Sequence, residues 1–380
     1  MTQPIQWIWQ QRNWPSFTWD VERLAPLLRS CTLAQGRLLG MIGASGTDAS
    51  EYSELDALLQ NVITSSAIEG EQLNVGSVRS SLAKRLGMAS DERVTPRSEG
   101  LAELMLDATQ QHQTPLTSER LMRWHSLLFP EPSSLLANRI RVATLRGVEP
   151  MQVVSGRIDR PVVHFEAPPR DGLEKQLEGF FYWFNTSRTD PTLDPLLRAG
   201  IAHFWFVTLH PFDDGNGRLT RAITDLALAQ GENQAIRFYA MSASILGNRQ
   251  GYYQILENSQ RGAMNLTPWL EWFLHTLLHT LEQAMQRIDR VLAKARFWQR
   301  HREDRLSAEQ IKVLNRLLNG DLLSEKNGAG FEGGISAAQY QAVAKVSKAS
   351  ATRHLADLLE KGCLVKLPAG GRSTRYQIRW

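Results

Sequence analysis

The sequence predicts a mainly α-helical protein with one small β-hairpin in the middle of the chain and another at its end. Apolar residues recur at helical spacing over residues 20–43, 50–69 and 75–87. From Leu116 to about Arg296 one helical pattern follows another, interrupted only by two short β-rich runs. Residues 297–380 repeat this mixture, with helical patterns first and β-rich runs last.

The chain divides by pattern into three parts. At 380 residues it is long enough for two or three domains. We expect an N-terminal helical region at residues 1–100, a core at 101–296 and a separate C-terminal domain at 297–380. Residues 90–96 have the composition of a connection, and residues 297–305 are polar enough to form a junction.

The composition is that of an ordinary globular protein, with 42% hydrophobic and 22% charged residues. Cys31 and Cys363 lie far apart in sequence, which argues against a disulfide framework or a cysteine-based metal site. The first residues lack a basic leader followed by an apolar core, and no apolar run approaches the ~20 residues that span a bilayer. We therefore expect a cytoplasmic protein with no membrane contact.

The most informative stretch is residues 209–221, which read Leu-His-Pro-Phe-Asp-Asp-Gly-Asn-Gly-Arg-Leu-Thr-Arg. It lies between an apolar run and a second helical pattern at residues 219–229, so its glycine loop opens a helix. Gly215 and Gly217 let the main chain approach a ligand closely, and the unpaired N–H groups of a helix start attract phosphate. The loop therefore predicts a phosphate site.

Side chains in the same stretch suit a magnesium–triphosphate. His210 has the side chain whose ordinary pKa suits proton abstraction near neutral pH, and Asp214 can bind Mg²⁺. Arg218 and Arg221 are three residues apart and can reach the loop from one helix face. Phe212 is expected to anchor the loop. Each residue alone has an ordinary structural explanation, but a plain turn needs no such combination.

Residues 210–221 resemble the signature of the Fic family, His-x-Phe-x-(Asp/Glu)-Gly-Asn-Gly-Arg-x-x-Arg, and match it at every defined position. The resemblance implies a mainly helical Fic-type core that transfers AMP from ATP to a hydroxyl side chain of a target protein. It implies that His210 deprotonates that hydroxyl and that Asp214 binds a Mg²⁺ bridging the α- and β-phosphates. The implied nucleotide-binding residues in this stretch are Asp214, Gly215, Asn216, Gly217, Arg218 and Arg221.

Residues 151–169 resemble the flap hairpin on which Fic enzymes lay the target segment. From the residues alone, 151–154 and 161–165 are β-rich runs separated by Gly156 and Asp159, a hairpin pattern. An exposed strand edge can bind an extended peptide through its main chain, although a purely structural hairpin is the alternative. The implied target-docking residues are Val162, Val163, His164 and Phe165.

The segment Tyr-Tyr-Gln-Ile-Leu at residues 252–256 resembles the Tyr-Tyr-x-x-Leu segment that borders the adenine pocket in Fic enzymes. The resemblance places Tyr252 and Tyr253 beside the nucleotide. A tyrosine pair next to leucines is also common in a hydrophobic core, so that alternative stays open.

Residues 64–70, Thr-Ser-Ser-Ala-Ile-Glu-Gly, resemble the Fic inhibitory motif (Ser/Thr)-x-x-x-Glu-(Gly/Asn), with Ser65, Glu69 and Gly70 in the defined places. Because the motif precedes the core, the resemblance implies autoinhibition in cis. From the residues alone, Ser65 and Glu69 share a helix face and Gly70 ends the helix. Glu69 would then pair with Arg221 and repel the triphosphate. The alternative is a glutamate facing solvent.

The C-terminal part has a winged-helix pattern. Helical patterns at about 307–319, 336–346 and 350–361 precede two β-rich runs at 363–367 and 374–379. The pattern is similar to the helix-turn-helix module appended to many Fic proteins.

Charge concentrates in this C-terminal part. Residues 296–380 contain fifteen Lys and Arg against eight Asp and Glu, an excess of seven, whereas the whole chain carries +4. A DNA contact would need such a concentration of positive charge, and Lys348, Arg353 and Arg372 are the positions at which to test it. Protein docking or dimerisation through the same module is the alternative, and a homodimer formed through helices or the wing is a further expectation.

Together these features predict a protein adenylyltransferase that uses Mg·ATP, modifies a Ser, Thr or Tyr hydroxyl and is held down by Glu69. The chain itself is one candidate target. One alternative keeps the core but removes AMP from a modified protein, with Glu69 positioning water. Phosphate transfer is a weaker alternative, because Gly215 and Gly217 are both intact. A third is a DNA-binding regulator whose core only senses a nucleotide.

Overall fold

The structure, a computed structural model, is mainly helical. It describes residues 6–43, 47–88, 93–130, 140–157, 160–233, 238–318, 334–368 and 374–380. These ranges contain fourteen α-helices and five short strands, which confirms the predicted fold class. The chain forms two compact units, Met1–Ala284 and Met285–Trp380.

The first unit is built almost entirely from helices. The three helical patterns predicted before residue 88 are all present, within a few residues of the expected bounds. The helices are α1 (Val21–Gly43), α2 (Thr47–Ile68), α3 (Val75–Arg85), α4 (Pro96–Gln110), α5 (Ser118–Leu128), α6 (Leu173–Thr186), α7 (Pro195–Leu209), α8 (Asn216–Glu232), α9 (Met241–Gly247) and α10 (Arg249–Gln260). The long α11 (Thr267–Arg300) begins in this unit and ends in the second.

The central helix of the first unit is α7. Every residue from Leu196 to Leu209 is buried, as expected for a helix that is apolar on all sides. The side chain of Asp194 accepts a hydrogen bond from the Leu196 N–H and Pro195 occupies the first turn, so the start of α7 is well defined. α8 packs along α7, and the short loop between them carries the residues of the predicted site.

The predicted flap is a two-stranded antiparallel hairpin, β1 (Gln152–Arg157) and β2 (Arg160–Glu166), with an irregularity between Val153 and Val154. The N-terminal segment packs against it. Trp7 meets the ring of Phe165 edge-on at 5.4 Å, and Trp9 Nε1 donates a hydrogen bond to the Glu166 carbonyl at 2.7 Å. Trp7 and Trp9 thus support the flap.

The second unit combines the end of α11 and three further helices with a small sheet around its own core. The elements are α12 (Ala308–Leu318), β3 (Ile335–Ser336), α13 (Ala337–Ala344), α14 (Lys348–Glu360), β4 (Leu364–Lys366) and β5 (Arg375–Ile378). The sheet is antiparallel in the order β3-β5-β4. The sequence missed β3 because two residues are too few to give a pattern. The winged-helix classification stays a prediction.

Two expectations about the chain as a whole can be compared with these helices. No helix in the described ranges is long and apolar enough to cross a bilayer. Cys31 and Cys363 are both buried free thiols. A cytoplasmic location stays a prediction.

The core of the second unit yields a stability prediction. Leu314 is fully buried in a cluster with Phe297, Tyr340 and Leu358, whereas Ile311 on the same helix is 39% exposed. Leu314→Ala should lower the free energy of unfolding of this unit by about 2–5 kcal/mol, because it leaves a cavity. Ile311→Ala is the matched control and should change it by less than about 1 kcal/mol. Urea denaturation of the full chain measures both, and equal effects would contradict the packing described.

Candidate active site

The predicted base, His210, ends α7 in a left-handed conformation, with φ 47° and ψ 56°. Its main-chain N–H donates to the Phe206 carbonyl, and its Nδ1 lies 3.2 Å from the Val207 carbonyl oxygen. Because a carbonyl can only accept, Nδ1 must carry the hydrogen, which leaves Nε2 as the proton acceptor. Burial lowers the pKa of His210 below its ordinary value. The imidazole is therefore neutral and basic at Nε2 near pH 7.

The loop after His210 is closed by a side-chain clamp. Asn216 Oδ1 accepts a hydrogen bond from the Phe212 N–H at 3.0 Å, and Asn216 Nδ2 donates to the Phe212 carbonyl at 2.7 Å. The Phe212 ring is fully buried, which confirms that it anchors the loop. Since the Asn216 amide holds the loop, an anion hole here would consist of main-chain N–H groups at the start of α8.

His125 supports this loop from α5, a role that no sequence pattern indicates. Its ring stacks on Phe212 with centroids 4.1 Å apart. Its Nδ1 accepts from the Ala143 N–H at 2.9 Å, so Nε2 carries the hydrogen and donates to the Asp214 carbonyl at 3.2 Å. A histidine about 85 residues upstream can be assigned this role only from the fold.

Both motif glycines meet a structural requirement. Gly215 has φ 83°, a conformation that strains other residues, and it immediately precedes α8. At Gly217 an added Cβ would lie 2.1 Å from Glu69 Oε1. The Glu69 carboxylate therefore lies against the first turn of α8, where a phosphate is predicted to bind. The Asp214 side chain is 54% exposed and thus accessible to a metal ion.

Arg221 is almost fully buried and is bound by the predicted inhibitory motif. Its Nε donates to Ser65 Oγ, and its Nη2 donates to the Ser65 carbonyl and to Glu69 Oε1, each at 2.8 Å. Its Nη1 is buried without a hydrogen-bond partner among the described residues. The structure thus brings Ser65 and Glu69 to Arg221, and one guanidinium nitrogen remains unsatisfied.

Arg218 is bound by a glutamate that the sequence analysis did not select. Its Nη1 donates to Glu71 Oε2 at 2.7 Å, and its Nη2 lies 3.6 Å from Asp214 Oδ1. Glu71 also accepts two hydrogen bonds from Arg97, at 2.9 and 2.7 Å. Burial alone would raise the pKa of Glu71, but the hydrogen bonds and charge of Arg97, with the charge of Arg218, hold it below its ordinary value. The sequence feature that points to Glu71 is its position two residues after Glu69.

One turn delivers both glutamates. Gly70 follows α2 with φ 82°, its N–H donates to the Ala67 carbonyl, and the Glu71 N–H donates to the Ser66 carbonyl, both at 3.0 Å. This hydrogen-bond pattern is a Schellman motif with glycine at its left-handed position. The predicted helix stop at Gly70 is therefore present, and Glu69 and Glu71 flank it.

A cavity of about 640 Å³ joins the predicted parts of the site. It is lined by Glu69, His210 and Gly217, by the flap residues Val153, Val154, Ser155, His164 and Phe165, and by residues of α10 that include Arg249, Tyr252, Tyr253 and Glu257. His210, Glu69, the flap hairpin and the tyrosine pair thus line one cavity. Asp214, Arg218 and Arg221 are not among its lining residues.

The four predicted docking residues of the flap differ in their surroundings. Val162 is 55% exposed, whereas Phe165 is buried beneath Trp7. The Val163 carbonyl accepts a hydrogen bond from Arg261 Nη2 at 2.9 Å. His164 lies 2.6 Å from Ser155 Oγ through Nε2 and 2.7 Å from Glu257 Oε2 through Nδ1. Val162 is thus the only one of the four that is exposed, while Val163 and His164 are half-buried.

The two predicted adenine-pocket tyrosines also differ. Tyr252 is 2% exposed, and its hydroxyl lies 3.0 Å from His203 Nε2. Burial lowers the pKa of His203 to about 3 and raises that of Tyr252, so both are neutral. Tyr253 is 38% exposed, with the Arg249 guanidinium 5.5 Å from its ring centre. Tyr252 therefore belongs largely to the core, and Tyr253 is more accessible to an adenine ring.

Comparison with known families agrees with this arrangement. Residues 115–228 match the model of the Fic/DOC family. The chain contains a Fic domain. Residues 7–88 match a domain of unknown function, DUF4172, so the predicted inhibitory motif lies in that segment and outside the matched Fic region.

The Fic domain is related to named proteins. The chain is 27% identical over 167 residues to protein adenylyltransferase fic-1 of Caenorhabditis elegans, an alignment that covers 43% of this chain and 30% of the relative. It is 26% identical over 177 residues to protein adenylyltransferase Fic of Drosophila grimshawi, with 46% and 33% covered. The chain thus spans about a third of the length of these curated relatives.

Solved structures share the fold. A Fic family protein from Desulfovibrio desulfuricans G20 is similar over 96% of this chain and 98% of its own, with a TM-score of 0.53 and 19% identity. Fic-1 from C. elegans, residues 134–508, is similar over 70% and 72%, with a TM-score of 0.50 and 19% identity. These similarities confirm a Fic-type helical fold.

The surroundings of His210 yield a prediction about its titration. Because burial disfavours the imidazolium, His210 should be neutral throughout the neutral range and should protonate only as the pH falls below about 6.5. NMR titration of the ring proton measures this midpoint, and the spectrum of His210→Gln identifies the resonance by its loss. A midpoint at or above 6.5 would show that the ring is not in the described environment.

Proposed function

We propose that this protein transfers AMP from Mg·ATP to a hydroxyl side chain of a target protein. The observation that carries the proposal is His210 at the mouth of α8, with its Nδ1 engaged by a carbonyl and its Nε2 available as a base. The relationship of the Fic domain to protein adenylyltransferases supports the same reaction class.

The chemistry follows from these positions. Nε2 of His210 accepts the proton of the target hydroxyl, and the hydroxyl oxygen forms a bond to the α-phosphorus of ATP. The bond between that phosphorus and the oxygen bridging to the β-phosphate breaks, and pyrophosphate leaves. Main-chain N–H groups at the start of α8 stabilise the charge that develops on the phosphates. Catalysis therefore rests mainly on alignment and charge stabilisation.

The residues present fit a magnesium–triphosphate. The Glu69 carboxylate lies in the space beside Gly217, where we expect a phosphate to bind. Arg221 Nη1 and Arg218 Nε are buried donors without partners among the described residues. Asp214 would hold Mg²⁺, which would offset part of the negative charge of the phosphates. Arg218 and Arg221 would bind the outer phosphates.

Glu69 is proposed to inhibit this reaction from within the chain. Its carboxylate lies against Gly217, in the proposed phosphate position, and accepts a hydrogen bond from Arg221 Nη2. That donor is then not available to a phosphate. A carboxylate there also repels the triphosphate. Displacement of the α2 end would free both the helix start and the guanidinium.

Removing the inhibitory carboxylate should activate the protein. Glu69→Gly should raise AMP transfer by about tenfold or more, because each 1.4 kcal/mol of competition removed strengthens ATP binding tenfold. Intact-mass spectrometry after incubation with Mg·ATP, on the protein itself and on a lysate, measures the gain of one adenylate. Equal activity of the wild type and Glu69→Gly would contradict autoinhibition.

The controls separate transfer from other functions. Adding His210→Ala to Glu69→Gly should lower transfer by roughly 10²–10⁴-fold, because the general base is lost. If instead the wild type removes adenylate from a modified protein and Glu69→Gly does not, Glu69 acts on a hydrolytic water and the alternative reaction is correct.

A DNA contact through the second unit is a second proposal, and one observation favours it. Only residues 345–347 separate α13 from α14, a spacing typical of a helix-turn-helix. Lys348, Thr352 and Arg353 are exposed together on the first turns of α14. Arg372, the third residue expected to contact DNA, lies outside the described residues.

The DNA proposal predicts a charge effect confined to α14. Arg353→Ala should weaken binding of a random-sequence duplex by about three- to tenfold and reduce its salt dependence, because one phosphate contact is lost. Lys312→Ala, an exposed charge on α12, is the matched control and should have little effect. Fluorescence anisotropy of the full chain measures both. If both variants lose a similar amount of DNA affinity, the binding reflects the overall positive charge of the unit and not a contact through α14.

A further inference from the structure

We infer that Glu71 is a positioning residue for Arg218, and that the two glutamates beside Gly70 therefore have opposite effects on nucleotide binding. Glu69 obstructs the phosphate position, whereas Glu71 holds a phosphate-binding guanidinium in place. This inference rests on the proposed function, since it concerns binding of the same Mg·ATP.

The contacts of Arg218 leave one of its edges directed toward the loop. Glu71 takes Nη1 at 2.7 Å, while Nη2 lies on the side of Asp214, 3.6 Å away. The guanidinium carbon lies 5.2 Å from the centre of the Phe129 ring, which supports one face of the group. A side chain held on one edge and one face has few conformations left, so Nη2 is preorganised toward the proposed metal-binding side.

Burial explains why Arg218 needs this partner. Its side chain is only 7% exposed, and a buried charge without a counter-ion is strongly destabilising. Arg97 lies over the same Phe129 ring, at 5.6 Å, so two positive groups share this pocket. Glu71 bonds both of them and offsets their repulsion. Without its charge, the two guanidinium groups would move apart.

The charge balance distinguishes Glu71 from Glu69. Glu71 is shared by Arg97 and Arg218, so the three groups together keep one positive charge for a phosphate. Among the described residues Glu69 pairs with Arg221, and this pair has no net charge. Glu69 also lies at Gly217, in the space of the anion, whereas the Glu71 carboxylate is bound by Arg97 and Arg218. Only Glu69 competes with the nucleotide.

The test removes the charge of Glu71 in the activated background. Compared with Glu69→Gly alone, Glu69→Gly combined with Glu71→Gln should raise KM for Mg·ATP about tenfold and change kcat less than about threefold. Arg97→Lys in the same background keeps a positive charge but loses the two-point hold on Glu71, so KM should rise about threefold. Such a KM effect without a kcat effect is not expected from general loss of structure.

A matched control comes from an ion pair elsewhere in the same unit. Arg23 and Glu271 are 2.5 Å apart, and neither lines the cavity. Glu69→Gly combined with Glu271→Gln should leave KM unchanged. Circular dichroism establishes that each variant is folded, and the Arg97→Lys variant decides the question if Glu71→Gln does not fold.

Direct binding separates this inference from the proposed function. The magnesium complex of α,β-methylene-ATP, whose α–β bridge cannot be cleaved in the transfer, is titrated by calorimetry into each variant. Weaker binding on loss of the Glu71 charge supports the inference even if no acceptor is ever modified. Unchanged binding and KM overturn it, and so does activation by Glu71→Gln in the wild-type background, because Glu71 would then be a second inhibitory group.

Discussion

The site depends on the short connection between α7 and α8. His210 leaves α7 in a left-handed conformation, and the amide of Asn216 ties the first turn of α8 back to Phe212. His125 supports the loop from α5 by stacking on the Phe212 ring. Because α7 is buried from Leu196 to Leu209, this connection has little freedom to move. A base and a helix start are thereby held side by side.

The second constraint is the turn at Gly70. A left-handed residue at the end of α2 reverses the chain within two positions and presents Glu69 and Glu71 to successive arginines of α8. The two contacts differ in kind. One carboxylate meets a single guanidinium beside the main chain of Gly217, and the other lies between two guanidinium groups. Residues 7–88 and 115–228, which match two different families, are thus joined here by ion pairs.

The sequence predicted much of the fold, because local patterns determine local structure. Helical periodicity located α1–α3 and α12–α14 to within a few residues, and alternating β-rich runs located the flap. The motif predicted that His210 and its neighbours share one site, because these residues are close together in the chain. The contributions of His125 and Arg97 could not be predicted, since their role depends on helix packing across long separations. Tyr252 is buried and Tyr253 is exposed, a difference that the sequence of two adjacent tyrosines does not reveal.

Trp7 and Trp9 have a consequence for the flap side of the candidate site. Trp7 and Trp9 contact β2 through one ring contact and one hydrogen bond. Trimming by a protease, or a bulky fusion at the amino terminus, would loosen the platform on which an acceptor polypeptide is expected to lie. Preparations that differ only in whether Trp7 and Trp9 are present should thus differ in acceptor choice, while their nucleotide chemistry stays the same.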